Sequence, residues 1–127
     1  MNRHAVFTDK GVLPGGPYSQ AIVLNGVAYI AGQGSFIRGT TTFKPGTFRE
    51  QAELTLQNVG VLLVACGTSF AHVAKVGIFL ADLKYFGELN EVYKQYFKAP
   101  YPARTTVQCG LSGDMLIEVD CIAGIPE

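Results

Sequence analysis

The dipeptide Asn25-Gly26 lies between two apolar runs, Ala21-Ile22-Val23-Leu24 and Val27-Ala28-Tyr29-Ile30. Asn and Gly both tolerate positive φ, so the pair forms the tight turn whose twist matches that of two antiparallel strands. This commits the first third of the chain to a β-hairpin. Both runs are apolar at every position, not at alternate ones. The run Leu116-Ile117-Glu118-Val119-Asp120-Cys121-Ile122-Ala123 is also apolar on both sides, apart from two carboxylates. Strands of this kind must be covered on both faces.

The remaining elements supply one of those covers. Thr47-Phe48-Arg49-Glu50 fits a capping box, with Thr47 as N-cap and Glu50 reaching back to it. Behind it, Ala52, Leu56, Val59, Leu63 and Cys66 recur at spacings of three and four, a helical stripe that Gly67 stops. Val73 to Ala81 reads as a strand with Val76, Ile78 and Leu80 on one face. Asp82 is placed to cap a second helix in which Phe86, Leu89, Tyr93 and Tyr96 or Phe97 share a face, ended by Pro100 and Pro102. Thr105–Cys109 and Leu116–Ala123 read as the last strands, joined through Gly110, Ser112 and Gly113. Residues 1–16 read as a polar start, a short Ala5-Val6-Phe7 run and a glycine-rich loop. The order is hairpin, helix, strand, helix, two strands. It predicts an α+β sandwich in which two helices cover one face of a largely antiparallel sheet. A chain of 127 residues makes one domain, residues 1–127, and buries roughly two-thirds of its unfolded surface. Its two helices cover only one side of the sheet. The other apolar side therefore predicts an oligomer.

Composition excludes several classes. Ten basic residues balance ten acidic ones, leaving no electrostatic footprint for a phosphate backbone, so no nucleic acid is expected as a partner. No apolar run approaches the ~20 residues of a membrane span, and no signal peptide precedes the fold. The three cysteines, Cys66, Cys109 and Cys121, form no Cys-x-x-Cys and sit in apolar runs. They read as reduced core thiols in a reducing compartment, taken as the cytoplasm, with a mitochondrial or other organelle matrix left open. His4 and His72 lie in unrelated settings beside no nucleophile motif, so serine-hydrolase and metal chemistry have no support. Gly32-Gln33-Gly34 lacks the third glycine and the following helix of a dinucleotide loop, although its N–H groups are free to face an anion.

Two residue settings carry chemistry. Arg104 follows Tyr101-Pro102-Ala103, a stiff turn, and precedes a β-branched run expected to start a strand at Thr105. A planar, permanently charged fork held at a strand mouth suits two-point capture of a carboxylate. Pairing with an internal carboxylate fits the position equally. In the last strand, alternation puts Leu116, Glu118, Asp120 and Ile122 on one face. Carboxylates on an apolar face must be paired or neutralised. Glu118 is read as a proton-transfer group with a tuned pKa, and Asp120 as a structural partner of Arg104 or Lys75. Tyr18 follows Pro17 at a loop-to-strand junction, where its spacing fits a packed aromatic better than a hydroxyl facing a cleft.

Gly16-Pro17-Tyr18-Ser19-Gln20-Ala21, Gly32-Gln33, Leu89-Asn90-Glu91-Val92-Tyr93, Tyr101-Pro102-Ala103-Arg104 and Ile117-Glu118-Val119 occur in the order and spacing of one family. Over nearly its whole length the chain resembles the RidA, or YjgF, reactive intermediate deaminases. The resemblance implies a chorismate-mutase-like α+β fold and a homotrimer whose sheets line a central barrel, with clefts between subunits. It implies hydrolysis of 2-imino acids and their enamine tautomers (2-aminoacrylate, 2-iminopropanoate, 2-iminobutanoate) to 2-keto acids and ammonia, without cofactor or metal. By motif, Arg104 clamps the substrate carboxylate and Glu118 orients water or shuttles a proton. Tyr18 lines the cleft, and the Gly32 backbone and Thr106 contact the polar end of the substrate. The chain departs from the usual pattern at Ala31, where the family has Ser, and at Thr106, often Cys. Gly34-Ser35 replaces a hydrophobic-Pro pair, and the loop before Glu118 is about one residue short. Those changes bear on substrate preference. A non-catalytic binder of small carboxylates, and a ribonuclease or translation inhibitor as some family names suggest, are the competing readings.

Overall fold

The computed structural model describes residues 2–127. Six strands form one sheet: β1 (Arg3–Val6), β2 (Ala21–Leu24), β3 (Val27–Gln33), β4 (Val73–Leu80), β5 (Ala103–Gln108) and β6 (Ile117–Gly124). Their spatial order is β1-β2-β3-β6-β4-β5. Every neighbouring pair is antiparallel except β4 with β5, which is parallel. The expected hairpin is β2–β3, with Asn25 at φ 50 and Gly26 at φ 76 in the turn.

Helix α1 (Phe48–Ala65) begins at the expected capping box. The Thr47 hydroxyl accepts from the Glu50 N–H at 3.2 Å, and the Glu50 carboxylate accepts from the Thr47 N–H at 2.9 Å. It ends with Gly67 at φ 84, where the Thr68 N–H reaches the Leu63 carbonyl and the Gly67 N–H that of Val64. That double closure needs a residue free to enter the left-handed region. Ala52, Leu56, Val59, Leu62 and Leu63 point from α1 into the core, against Ala28, Ile30, Val76, Ile78, Leu80, Ile117, Val119 and Cys121 of the sheet. Each such aliphatic side chain stabilises the fold by roughly 1.5–3 kcal/mol on full burial.

Four features differ from expectation. Ala5 and Val6, with Arg3 and His4 before them, form an edge strand, β1, because β2 offers them an unpaired backbone edge, and Phe7 lies outside it. Asp82 caps a short 3-10 turn, Leu83–Tyr85, by accepting from the Lys84 N–H at 2.8 Å, and helix α2 (Phe86–Tyr93) follows from that turn. Because α2 ends at Tyr93 and not at the prolines, Tyr96 and Phe97 pack from the turn after it, around Phe70. Strand β5 starts at Ala103, not Thr105, so Arg104 lies inside it.

Both helices lie on one face of the sheet. On the other, Ile22, Leu24, Phe79 and Ile122 are half-buried, and Tyr29 and Val107 are exposed. Of the three free thiols, Cys66 and Cys121 are core residues, whereas Cys109, expected in the core, is only partly buried because it follows the last residue of the edge strand β5.

Candidate active site

The sequence-predicted residues fall into two places. Tyr18, Gly32 and Glu118 line one cavity of about 260 Å³ with Gln20, Phe36 and Met115. Arg104 lines a separate groove of about 240 Å³ with Asn90, Tyr93, Lys94, Tyr101 and Pro102.

The cavity is walled by loops, and each loop is held by a buried amide side chain. Gln20 donates to the Val12 and Thr8 carbonyls, at 2.8 and 3.0 Å, and accepts from the Thr8 N–H. Asn58 on α1 donates to the carbonyls of Gly34 and Phe36, at 2.9 and 3.0 Å, and accepts from Arg38. Gln51 donates to the Asp114 carbonyl and accepts from the Leu116 N–H, fixing the entry to β6. Backbone groups that would otherwise be orphaned thus determine the shape of the rim. Sequence reasoning missed all three amides. Polar side chains inside helical or strand runs were the available signal.

Glu118 projects from β6 on the face opposite the helices, in register with Phe79 of β4. Its carboxylate folds onto β3 at Gly32, where a Cβ would fall on a carboxylate oxygen and lie 3.0 Å from Cδ. Glycine at 32 is therefore a steric requirement for the seat of Glu118. Burial pushes the Glu118 carboxyl up from the ordinary carboxylate range, and the nearby Asp120 charge adds to it. Neither Glu118 nor Arg104 enters an ion pair; among the described residues the ion pairs are those of Arg49 with Glu88 and Glu91. The structural pairings of Arg104 with an internal carboxylate, and of Asp120 with Arg104 or Lys75, are thus corrected; the Lys75 ammonium donates to the Thr105 hydroxyl instead. Register is the reason: Arg104 lies opposite Val76 and shares the helix face, whereas Glu118 and Asp120 lie on the other. Tyr18 is 54% exposed and accepts from the Gly15 N–H at 3.1 Å through its hydroxyl, so the packed-aromatic expectation is also corrected.

In the groove, the Arg104 guanidinium lies 4.8 Å from the Tyr93 ring centroid and 5.5 Å from that of Phe86. Two aromatic faces fix its plane and leave its N–H edge without a carboxylate partner. Burial pushes the Tyr93 hydroxyl up to about 12, against the opposing effect of Arg104. The Tyr93 hydroxyl and the Thr106 Oγ1, two positions along the same strand face from Arg104, are both buried without a hydrogen-bond partner. Phe86 and Tyr93 read as core from spacing alone; their role as a platform shows only once β5 is placed beside α2. Among the described residues, no group of three or more His, Cys, Asp or Glu side chains is placed to hold a metal ion.

A glycine-seated acid and a stacked arginine thus stand on one α+β sheet. Comparison with known proteins gives the family. The family model described as Endoribonuclease L-PSP matches residues 8–125. The chloroplastic Reactive Intermediate Deaminase A of Arabidopsis thaliana is 40% identical over 97% of this chain and 66% of its own length. The 2-iminobutanoate/2-iminopropanoate deaminase of Bos taurus is 37% identical over 95% of this chain and 89% of its own. The crystal structure of E. coli TdcF with bound serine superposes with a TM-score of 0.89 at 34% identity, covering 97% of this chain and 99% of that one. The chain belongs to the RidA/YjgF family of reactive intermediate deaminases.

Proposed function

We propose that this protein hydrolyses 2-imino acids, and the enamines that tautomerise to them, to 2-keto acids and ammonia. The observation that carries the reading is the desolvated Glu118 carboxyl, seated on Gly32 at a cavity of small-molecule size, in a chain with deaminase relatives. The serine bound to E. coli TdcF supports a substrate bearing an α-carboxylate beside a nitrogen-bearing carbon.

In this reading the imine carbon, already electrophilic, takes a water molecule whose proton passes to Glu118. The same carboxyl then returns a proton to the nitrogen of the tetrahedral adduct. The adduct hydroxyl then passes its remaining proton through Glu118 to the departing nitrogen, the C–N bond breaks, ammonia leaves, and the former water oxygen becomes the keto oxygen. Arg104 holds the substrate carboxylate by two-point hydrogen bonding, and Thr106 and the Gly32 backbone contact its polar end. Tyr18 closes the cavity mouth. No residue supplies a covalent bond, so positioning and proton transfer carry the rate.

Arg104 and Glu118 lie on opposite faces of one sheet, so one chain does not aim both at one substrate. We infer a homotrimer in which the open apolar face is covered by neighbouring copies and each cleft takes Arg104 from one copy and Glu118 from the next. A reducing compartment, either the cytoplasm or an organelle matrix, fits the free thiols.

The test is a coupled assay in which a dehydratase generates 2-aminoacrylate and keto-acid formation is followed with and without the protein. Acceleration proportional to protein concentration is expected. Binding of pyruvate or serine without acceleration would favour the non-catalytic binder.

A further inference from the structure

Strand β6 presents two carboxylates side by side on the open sheet face, and the two are seated alike. Glu118 folds toward β3, where Gly32 leaves room for it. Asp120 folds the opposite way, toward β4, where a Cβ on Gly77 would meet the Asp120 carboxylate. Their surroundings differ. Asp120 sits directly opposite Gly77, and Lys75 lies two residues away on the same face of β4. The Lys75 ammonium is anchored at 2.8 Å on the Thr105 hydroxyl of β5. The other groups around the pair include no further acidic or basic side chain: Phe79 and Gly77 on β4, Gly32 and Tyr29 on β3, Thr105 and Val107 on β5, and Tyr18 on the cavity wall.

We propose that Asp120 is a positioning residue for the proposed deamination: a negative charge, seated on Gly77 with Lys75 two residues along the neighbouring strand, that acts through Glu118 and makes its carboxyl a better proton carrier. The division of labour follows from the environments. Burial disfavours charge on both groups. For Asp120 burial still holds the carboxyl above the ordinary range, but the Gly77 and Asp120 backbone N–H groups and Lys75 oppose that effect. Glu118 has no such support, and Asp120 adds to its burial. Two neighbouring carboxyls whose settings differ in this way separate into one that stays ionised and one that takes up and returns the proton. A proton carrier works best when its pKa approaches the working pH. The inference rests on the deaminase reading for its role in catalysis, but the coupling between the two carboxyls does not.

The test titrates Glu118 directly by carboxyl-carbon NMR in the intact wild-type protein and in Asp120→Asn, Asp120→Glu and Lys75→Met, with the imine-hydrolysis pH profile measured in parallel. In Asp120→Asn the Glu118 midpoint moves to lower pH, and the limb of the rate profile governed by Glu118 moves with it. Asp120→Glu returns the charge and moves both back toward wild type. Lys75→Met removes the cation that opposes burial at Asp120, so the Asp120 titration, followed in the same spectra, moves to higher pH and the Glu118 midpoint does not rise; this provides a second test should Asp120→Asn fold poorly. A Glu118 midpoint that stays put in folded Asp120→Asn, or rises in Lys75→Met, overturns the proposal. Absence of imine turnover in the wild type would instead refute the deaminase reading, and the NMR shift would still decide the coupling.

Discussion

The Glu118 cavity and the Arg104 groove differ in how they are built. The cavity is assembled by buried amides that pin three loops, and its acid sits where only glycine leaves space. The groove is a shelf at the edge strand β5, where two aromatic rings fix a cation whose donor edge has no carboxylate partner. The two lie on opposite faces of the sheet. In the proposed function the cavity is the proton-transfer half and the groove the anion-binding half, and one chain does not bring both to one imino acid.

The largest effect is expected from the chemical half. Glu118→Gln preserves shape and removes the proton carrier, so imine hydrolysis should fall ~10²–10⁴-fold with the fold intact. Activity within a few-fold of wild type would make Glu118 structural. Arg104→Lys comes next. It keeps the charge but loses the two-point fork, and a charged hydrogen bond contributes ~1.5–3 kcal/mol, so kcat/KM should drop roughly 10–100-fold. Arg104→Ala should lose more, together with pyruvate binding. Tyr93→Leu leaves the guanidinium but removes one stacking face. A cation–π contact contributes ~0.5–2 kcal/mol, so KM should rise from about two-fold to about 30-fold with kcat less affected. Equal loss in both halves of the comparison, with kcat falling as for Glu118→Gln, would mean that Tyr93 serves more than the groove.

The smallest effect is on stability, and its sign separates a functional acid from a structural one. The folded Glu118 carboxyl titrates above its ordinary value of 4.5 because of burial and Asp120. Stability from this group is therefore present below that value and lost as pH rises through the raised one. Glu118→Gln should raise the melting temperature at pH 8 and leave it near wild type at pH 4. A melting temperature lowered at pH 8 would instead reveal a stabilising ion pair.

The sequence made the framework legible where local chemistry was strong. The Asn25-Gly26 turn, the Thr47/Glu50 capping box and the Gly67 stop all form as read, because each needs only neighbouring residues. Arg104 and Glu118 stood out for the same kind of reason, a rigid turn and an acid among aliphatics. Strand β1 was not legible, since a four-residue segment with only Ala5 and Val6 apolar becomes a strand only beside β2. The assignment of Arg104 and Glu118 to opposite faces also escaped the sequence. It depends on the parallel register of β5 against β4, which no turn dictates. For the same reason the aromatic platform under Arg104 read as ordinary core. The matched settings of Glu118 on Gly32 and Asp120 on Gly77 are contacts between strands distant in the chain.

A mixed-subunit complementation experiment tests the separation of the halves most directly. Glu118→Gln and Arg104→Ala proteins, each nearly inactive, are unfolded together and refolded at equal concentration. If a cleft takes its acid from one copy and its arginine from the next, random assembly of a symmetric trimer leaves about one cleft in four with both wild-type residues. The mixture should therefore recover about a quarter of the wild-type rate. A mixture of confirmed hetero-oligomers no more active than its parents would contradict a site shared between copies.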